Sequence, residues 1–385
     1  MCNVAGQKIT IQNVKKKGSK RMLIEFHVLK NYPATNLNRD ETGAPKTAFF
    51  SGQLRGRVSS QCVKRSWRKS QWFEDLDLGI RTRNLPSLVC EELEKRGVDE
   101  KYIEATKKKI TGFGNKDAKE NNDEITSQVI FFSKADIQAV ADAVQETITE
   151  CADLKAFEKI SAKQWKEKLG KLPRPVNVDI ALFGRMTTDD SFKDVEAAMQ
   201  VAHAISTNTV NQEADFFTAV DDLNEIYGSD QGSAMMGDID FNSNCYYQYA
   251  SLDVDQLREN LLGNENEEEI LKRVLPALVQ AITFSNPTGK QNSFAGHVVP
   301  SLICIEKKEK KVPISYVNAF EKPIRKNYSE DSCKAMIGEM ELFEKCYGKM
   351  VDERLWFAPK YDGVPENTTK VETLAELLDA CIKWI

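Results

Sequence analysis

The segment from Asn36 to Lys69, NLNRDETGAPKTAFFSGQLRGRVSSQCVKRSWRK, concentrates the side chains of this chain best suited to chemistry. It carries Arg39, Lys46, Arg55, Arg57, Lys64, Arg65, Arg68 and Lys69, and its only acids are Asp40 and Glu41. Serine is a favoured helix N-cap, so a helix is expected to start after Ser59 or Ser60, and the free amides of a first helical turn attract phosphate. In that helix Gln61, Lys64, Arg65 and Arg68 fall at i, i+3, i+4 and i+7 and share one face. Val63 and Trp67, four apart, lie on another face and anchor the helix to a core. Arg55 and Arg57 are two apart, which on a strand places them on the same side. Arg39 and Lys46 flank a loop of the right size to fold over the same groove. A positive stripe beside a positive helix end is a cradle for the sugar–phosphate backbone that reads no base sequence. The competing reading is a solvated face, but surface helices normally mix charge signs and this one does not.

The charge distribution points the same way. The 385 residues carry a net charge of −5. Residues 1–70 hold fifteen Lys or Arg against three acids, so the remainder is strongly acidic. Such asymmetry suggests one polyanion-facing surface on an otherwise self-repelling protein. No run of apolar residues is long enough for a transmembrane helix, so no membrane partner is expected. Nine cysteines without a CxxC pair suit neither a zinc framework nor a disulfide scaffold, and imply a reducing, cytoplasmic setting.

Catalytic signatures are missing. The three histidines, His27, His203 and His297, form no HExxH pattern, and His203 reads as a packed, hydrogen-bonded strand residue. Asn286-Pro287-Thr288-Gly289-Lys290 resembles the end of a phosphate loop, but Phe284 stands where a Walker A loop needs glycine. No nucleophile elbow or dinucleotide-binding glycine turn occurs. Gly112-Phe113-Gly114 lacks the flanking aromatics of an RNA-recognition core. The expectation is a protein without catalytic residues, metal or cofactor.

The elements that must position the basic segment follow from periodicity. Met22–Leu29 alternates as a strand after a basic extension, residues 1–20. Residues 74–172 read as helices, clearest at Leu88–Lys95, Ile137–Ile148 and Ala162–Leu169, with a charged loop at Asn115–Glu124. Val176, Val178, Ile180 and Leu182 alternate as a strand that Arg185-Met186 would end, and Met199 to Thr207 alternates again. Cys245–Leu252, Val298–Glu306 and Pro313–Val317 read as strands, Leu257–Phe284 as a broken helix, and Ser332–Tyr347 and Val371–Trp384 as helices. Strands interrupted by one long helical insertion imply an α+β sheet domain with a helical subdomain grafted onto it.

Several ordered motifs carry a family resemblance: Leu37-Asn38-Arg39-Asp40 with Lys46; Arg57-Val58-Ser59-Ser60-Gln61 with Lys64-Arg65; Val178 to Met186; Ala202-His203-Ala204-Ile205; Phe216 to Leu223; and Asn318 to Lys322. Running from about residue 21 to 325, they resemble the CasC family, the RAMP-like backbone subunits of type I-E CRISPR Cascade complexes and part of the Cas-seven group. The resemblance implies a modified RRM/ferredoxin-like palm with an inserted helical finger domain and a β-hairpin thumb. It divides the chain into the extension 1–20, palm segments 21–73 and 173–205, fingers 74–172, a thumb at 206–242, and palm completion with C-terminal helices at 243–385. It also implies partners: CRISPR RNA, the target DNA strand paired to it, neighbouring copies stacked head to tail, and the large, small, 5′-handle-binding and RNA-processing Cascade subunits. On this resemblance Arg185 binds phosphate and Met186 wedges against a base, core packing being the alternative for Met186. Phe216, Phe217 and Thr218 displace a nucleotide, a small hairpin core being the alternative. Glu213, Asp215, Asp221 and Asp222 keep the thumb off phosphates or meet a neighbour's basic patch. Lys290, Gln291 and Asn292 are a second palm contact. Lys307, Lys308, Lys310 and Lys311 read as a solvated turn. Two rival functions stand beside this one: a metal-dependent RNA-cleaving backbone subunit using Asp40, and a general single-stranded RNA-binding protein.

Overall fold

The alternation that begins at Met22 becomes a long strand, β1 (Leu23–Thr35), at the centre of the computed structural model. The structure describes residues 21–114, 116, 119–120, 124–169, 174–219 and 235–385. The basic extension 1–20, residues 220–234 of the expected thumb with Asp221 and Asp222, and parts of the 115–124 loop lie outside the described residues.

Further strands are β2 (Thr47–Phe50), β3 (Gln53–Val58), β4 (Ile80–Thr82), β5 (Ile130–Phe132), β6 (Met199–Val201), β7 (Ala204–Ser206), β8 (Gln212–Ala219), β9 (Met235–Asp253), β10 (Leu302–Lys308), β11 (Glu353–Phe357) and β12 (Thr369–Lys370). Ten of them form one sheet in the order β12-β11-β10-β1-β9-β7-β3-β2, with β6 and β8 also paired to β9. β1 lies antiparallel between β10 and β9.

Both faces of the sheet are covered, which the period-2 pattern of β1 records. Ile24, Phe26 and Val28 join the main core with Val63, Trp67, Ile180, Leu275, Leu278 and Ile282. Leu29 joins a second core on the opposite face with Tyr247, Cys304, Tyr316, Met336 and Trp356. The first face is roofed by helix α1 (Ser60–Arg68) and the helices Val178–Phe183, Val254–Leu261 and Glu267–Phe284; the second by the helix Tyr328–Tyr347. The helical insertion has a core of its own, built on Leu85, Val89, Leu93, Phe113, Val140, Val144, Phe157 and Trp165. A two-stranded ribbon, β4–β5, accompanies it.

Two expected strands are absent. Val178–Phe183 is a helix in which Val178, Asp179, Ile180, Ala181 and Leu182 are all buried, and in a segment enclosed on every side a short alternation of apolar residues does not separate strand from helix. Arg185-Met186 therefore follows a helix, with Gly184 at φ 79° as its C-terminal residue, a conformation glycine adopts without strain. Pro313–Val317 runs as irregular chain into a short 3-10 turn, Val317–Phe320.

Candidate nucleic-acid interface

Ser59 is the N-cap of α1, and its hydroxyl accepts the Cys62 N–H at 3.3 Å. Such a cap contributes about 1 kcal/mol. Asn38 holds the cap in place: its Oδ1 accepts Ser59 N–H, while its backbone carbonyl accepts Lys46 N–H. Val63 and Trp67 are buried, fixing the rotation of α1, and truncating such a tryptophan costs about 3–5 kcal/mol. With that face committed, Gln61 and Arg65 are exposed and Lys64 and Arg68 half-exposed along a groove of about 1010 Å³.

One wall of the groove is α1 with Asn38, Ser59, Gln61, Cys62, Lys64, Arg65, Arg68 and Lys69. The other is apolar: Ile80, Val129, Phe131 and Met186, the last 91% exposed, with Arg81 among them. Lys64, Arg65 and Arg81 form no ion pair among the described residues. Burial lowers the Lys64 pKa, and the neighbouring Arg81 lowers it further. Two neighbouring cations with no ion-pair partner among the described residues mark a site of uncompensated positive potential.

Adjoining this groove is a second hollow of about 530 Å³, lined by Leu37–Gly43, Cys62, Thr288 and Gly289. Its loop is closed by the Arg39–Pro45 bridge and by Asp40, whose Oδ1 accepts from Thr42 N, Thr42 Oγ1 and Ala44 N. The Thr42 hydroxyl leads in holding the Asp40 carboxyl below its ordinary pKa. A Cβ on Gly289 would collide with the Leu37 carbonyl oxygen, so the loop lies against Gly289 itself. Arg39 is exposed and Lys46 half-exposed.

Three expected phosphate ligands are locked into the protein. Arg55 is buried, and its guanidinium donates to the carbonyls of Ser206, Thr207, Phe320 and Glu321. Arg185 is also buried; it pairs with Asp136 at 2.5 Å and donates to the carbonyls of Lys193 and Phe131. Arg68 pairs with buried Asp179 at 2.5 Å and donates to Gly79 O. Spacing marks these as basic but does not reveal that an acid or a cluster of carbonyls has claimed them. Arg57 remains half-exposed, its Nε bonded to Thr47 O. Ser60 is half-exposed beside Gln61.

Met186 is not core, which removes its packing alternative. Phe216 (67% exposed) and Thr218 are open on β8, opposite Asp238 and Met236, whereas Phe217 is half-buried over Gly237. Lys290, Gln291 and Asn292 start a short helix beyond Gly289 and are not among the residues lining either hollow. His203 is exposed rather than packed, because it sits in the gap between β6 and β7. The lysine cluster is not a plain solvated turn: Lys308 is buried against Glu25 and Glu306, and Lys311 pairs with Asp253 and Asp255. Sequence reasoning does not find Arg81, Ile80 and Val129, since a three-residue strand and a lone loop valine leave no periodic signature.

One set of metal-ligand types, Glu25, His27 and Glu306, converges under the sheet. Their carboxylates are already bound by Lys308 and Arg354 and by the Tyr249 and Tyr316 hydroxyls, so the charge is balanced without an ion. Burial would raise the Glu306 pKa, but His27, Arg354 and Lys308 hold it far below the usual carboxylate range.

The fold and the groove define an α+β protein with a cationic, partly apolar cleft suited to a flexible polyanion. The chain belongs to the CT1975-like protein family, whose model matches residues 24–384. Its structure is similar to a chain of a "CRISPR RNA-guided surveillance complex, pre-nicking", with a TM-score of 0.79 and 26% identity over 94% of this chain and 99% of that one. A chain of another "CRISPR RNA-guided surveillance complex" shares the fold at a TM-score of 0.70 and 22% identity, covering 94% and 100%. No curated protein sequence matches.

Proposed function

We propose that this chain is a non-catalytic, RNA-binding backbone subunit of a CRISPR surveillance complex of the type I-E Cascade kind. The observation that carries the reading is the α1 face: Gln61, Lys64 and Arg65 line a groove without carboxylate partners among the described residues. Guide sequences differ from one another, so a subunit that coats them must grip phosphates and ignore bases. The strand order β10-β1-β9-β7, with a helical connection between β1 and β7 and another between β9 and β10, supports an RRM/ferredoxin-like palm. The helical insertion serves as fingers and the β8–β9 ribbon as thumb.

Copies stack head to tail along one CRISPR RNA. The open Phe216 displaces a nucleotide at regular intervals, and the guide pairs with target DNA in short segments between these points. Met186, on the apolar wall of the groove, packs against a base. Other Cascade subunits cap the filament, and assembly takes place in the cytoplasm.

Native mass spectrometry on guides of several lengths tests this. Stepwise growth of copy number with guide length is expected; binding as independent monomers would instead favour a general single-strand binder. The RNA-cleaving alternative rests on Asp40, whose carboxylate is engaged in its own turn. Incubating the assembled particle with complementary RNA and magnesium is expected to give no cleavage, and cleavage abolished by Asp40→Ala would overturn the assignment.

A further inference from the structure

Lys46, Arg57 and His203 come together where β3 pairs with β7, one strand in from the β2 edge of the sheet. The register Arg57↔Ile205 and Val58↔Ala204 brings His203 alongside the chain leading into α1. Arg57 donates from Nη1 to His203 Nδ1 at 3.2 Å. A guanidinium has no acceptor, so Nδ1 is the acceptor, the ring is neutral, and its proton sits on Nε2. His203 is exposed, so that N–H is open to an external acceptor. Arg57 is itself fixed by Thr47 O, and Lys46 by backbone bonds to Asn38 and Arg57.

Among the described residues, the charged groups that act on His203, Arg57 and Lys46, are both positive. Burial lowers its pKa, and Arg57 and Lys46 add to the shift. On the β9 side, Tyr249 receives the Ala202 N–H on its carbonyl, while its hydroxyl donates to Glu25. Among the described residues no carboxylate pairs with Lys46, Arg57 or His203. Two cations and a neutral imidazole donor converging without an acid are a ready anion site.

The geometry points to a phosphate-binding site formed by Lys46, Arg57 and His203, which holds one phosphodiester of a bound nucleic acid. This rests on the RNA-binding reading for the source of the phosphate, but not for the chemistry of the site. A bound phosphate offsets the field of the two cations, so on binding His203 Nδ1 takes up a proton and the Arg57 N–H that it had accepted turns to a phosphate oxygen. Affinity therefore rises as pH falls through the bound-state pKa of His203 and levels off below its free-state value.

The test uses the full chain. Between pH 8 and pH 5.5 RNA affinity is expected to rise about three- to tenfold, corresponding to an upward shift of about half to one pKa unit. His203→Gln keeps a donor but cannot titrate, so its affinity shows no rise between pH 8 and pH 5.5. Lys64→Ala binds more weakly at every pH but keeps the rise. With three histidines in the chain, the imidazole proton resonances can be followed individually. Inorganic pyrophosphate alone is expected to raise the His203 titration midpoint and leave that of His297 unchanged. If the protein failed to bind RNA at all, the proposed function would fall, and the pyrophosphate titration would still decide this site. An unmoved His203 midpoint, or a His203→Gln variant with the wild-type pH dependence, overturns the inference.

Discussion

In the groove, Lys64, Arg65 and Arg81 stand without ion-pair partners among the described residues, whereas under the back of the sheet Lys308 and Arg354 are enclosed and paired with Glu25, Glu306 and Glu344. Both regions are rich in cations, yet they use them in opposite ways. A charge buried in protein requires a counter-charge from the protein, because desolvation costs several kcal/mol per ion. A charge left at a half-open surface keeps its hydration and its field, and both are available to a ligand. Arg55, Arg68 and Arg185 belong, by this criterion, with the back of the sheet, although Arg68 and Arg185 border the groove.

The largest effect expected from this contrast is on stability. Arg354→Ala takes the guanidinium from Glu306 and Glu344, leaving Lys308 as the cation paired with buried Glu306, and is expected to cost about 3–5 kcal/mol in urea unfolding, with RNA affinity of the folded protein unchanged. A loss under about 1 kcal/mol would show that the back network is not held as a buried pair. Next comes the reverse pattern. Lys64→Ala with Arg65→Ala is expected to leave unfolding within about 0.5 kcal/mol of wild type. RNA binding weakens for every sequence, and the salt slope falls by about 0.7 for each phosphate that is no longer neutralised. Retained affinity with an unchanged slope would place the phosphates elsewhere.

Lys30 sharpens the comparison, being a cation that burial holds down to a pKa of about 7 and whose Nζ donates to Ser285 O. Between that value and the ordinary 10.5 the unfolded chain binds the extra proton, so this residue makes stability rise with pH across that window. Lys30→Met removes that component, and the wild-type minus variant difference in unfolding free energy is expected to grow between pH 7 and 10; a constant difference would mean that Lys30 stays charged. The smallest effect is on the β8–β9 ribbon. Phe216→Ala with Phe217→Ala is expected to leave RNA affinity and salt slope as they were, while impairing guide–target pairing or its spacing. If this variant and the α1 variant lost RNA binding alike, the division of roles would be wrong.

Much of the α1 wall was legible because local rules suffice there. A serine cap, a basic stripe at i, i+3, i+4 and i+7, and an apolar pair on another face need no knowledge of distant residues. The β8–β9 ribbon left no periodic signature that was read as strand, and nothing local told which of its phenylalanines stays open. Of the apolar wall only Met186 was named, and that through the family resemblance: Ile80, Val129 and Met186 come from three separate segments, and only the packing of the insertion against the main sheet brings them together.

The sequence alone determined the charge asymmetry, the α+β alternation and the helix that presents Lys64 and Arg65, since each follows from residue type and short-range period. Tertiary structure alone decided which cations are free. Whether an arginine meets Asp136 or Asp179, or a ring of carbonyls as Arg55 does, depends on long-range partners to which local periodicity is blind. The same folding makes Val178–Phe183 a helix where a strand was expected, and burial on all sides erases the pattern that distinguishes the two.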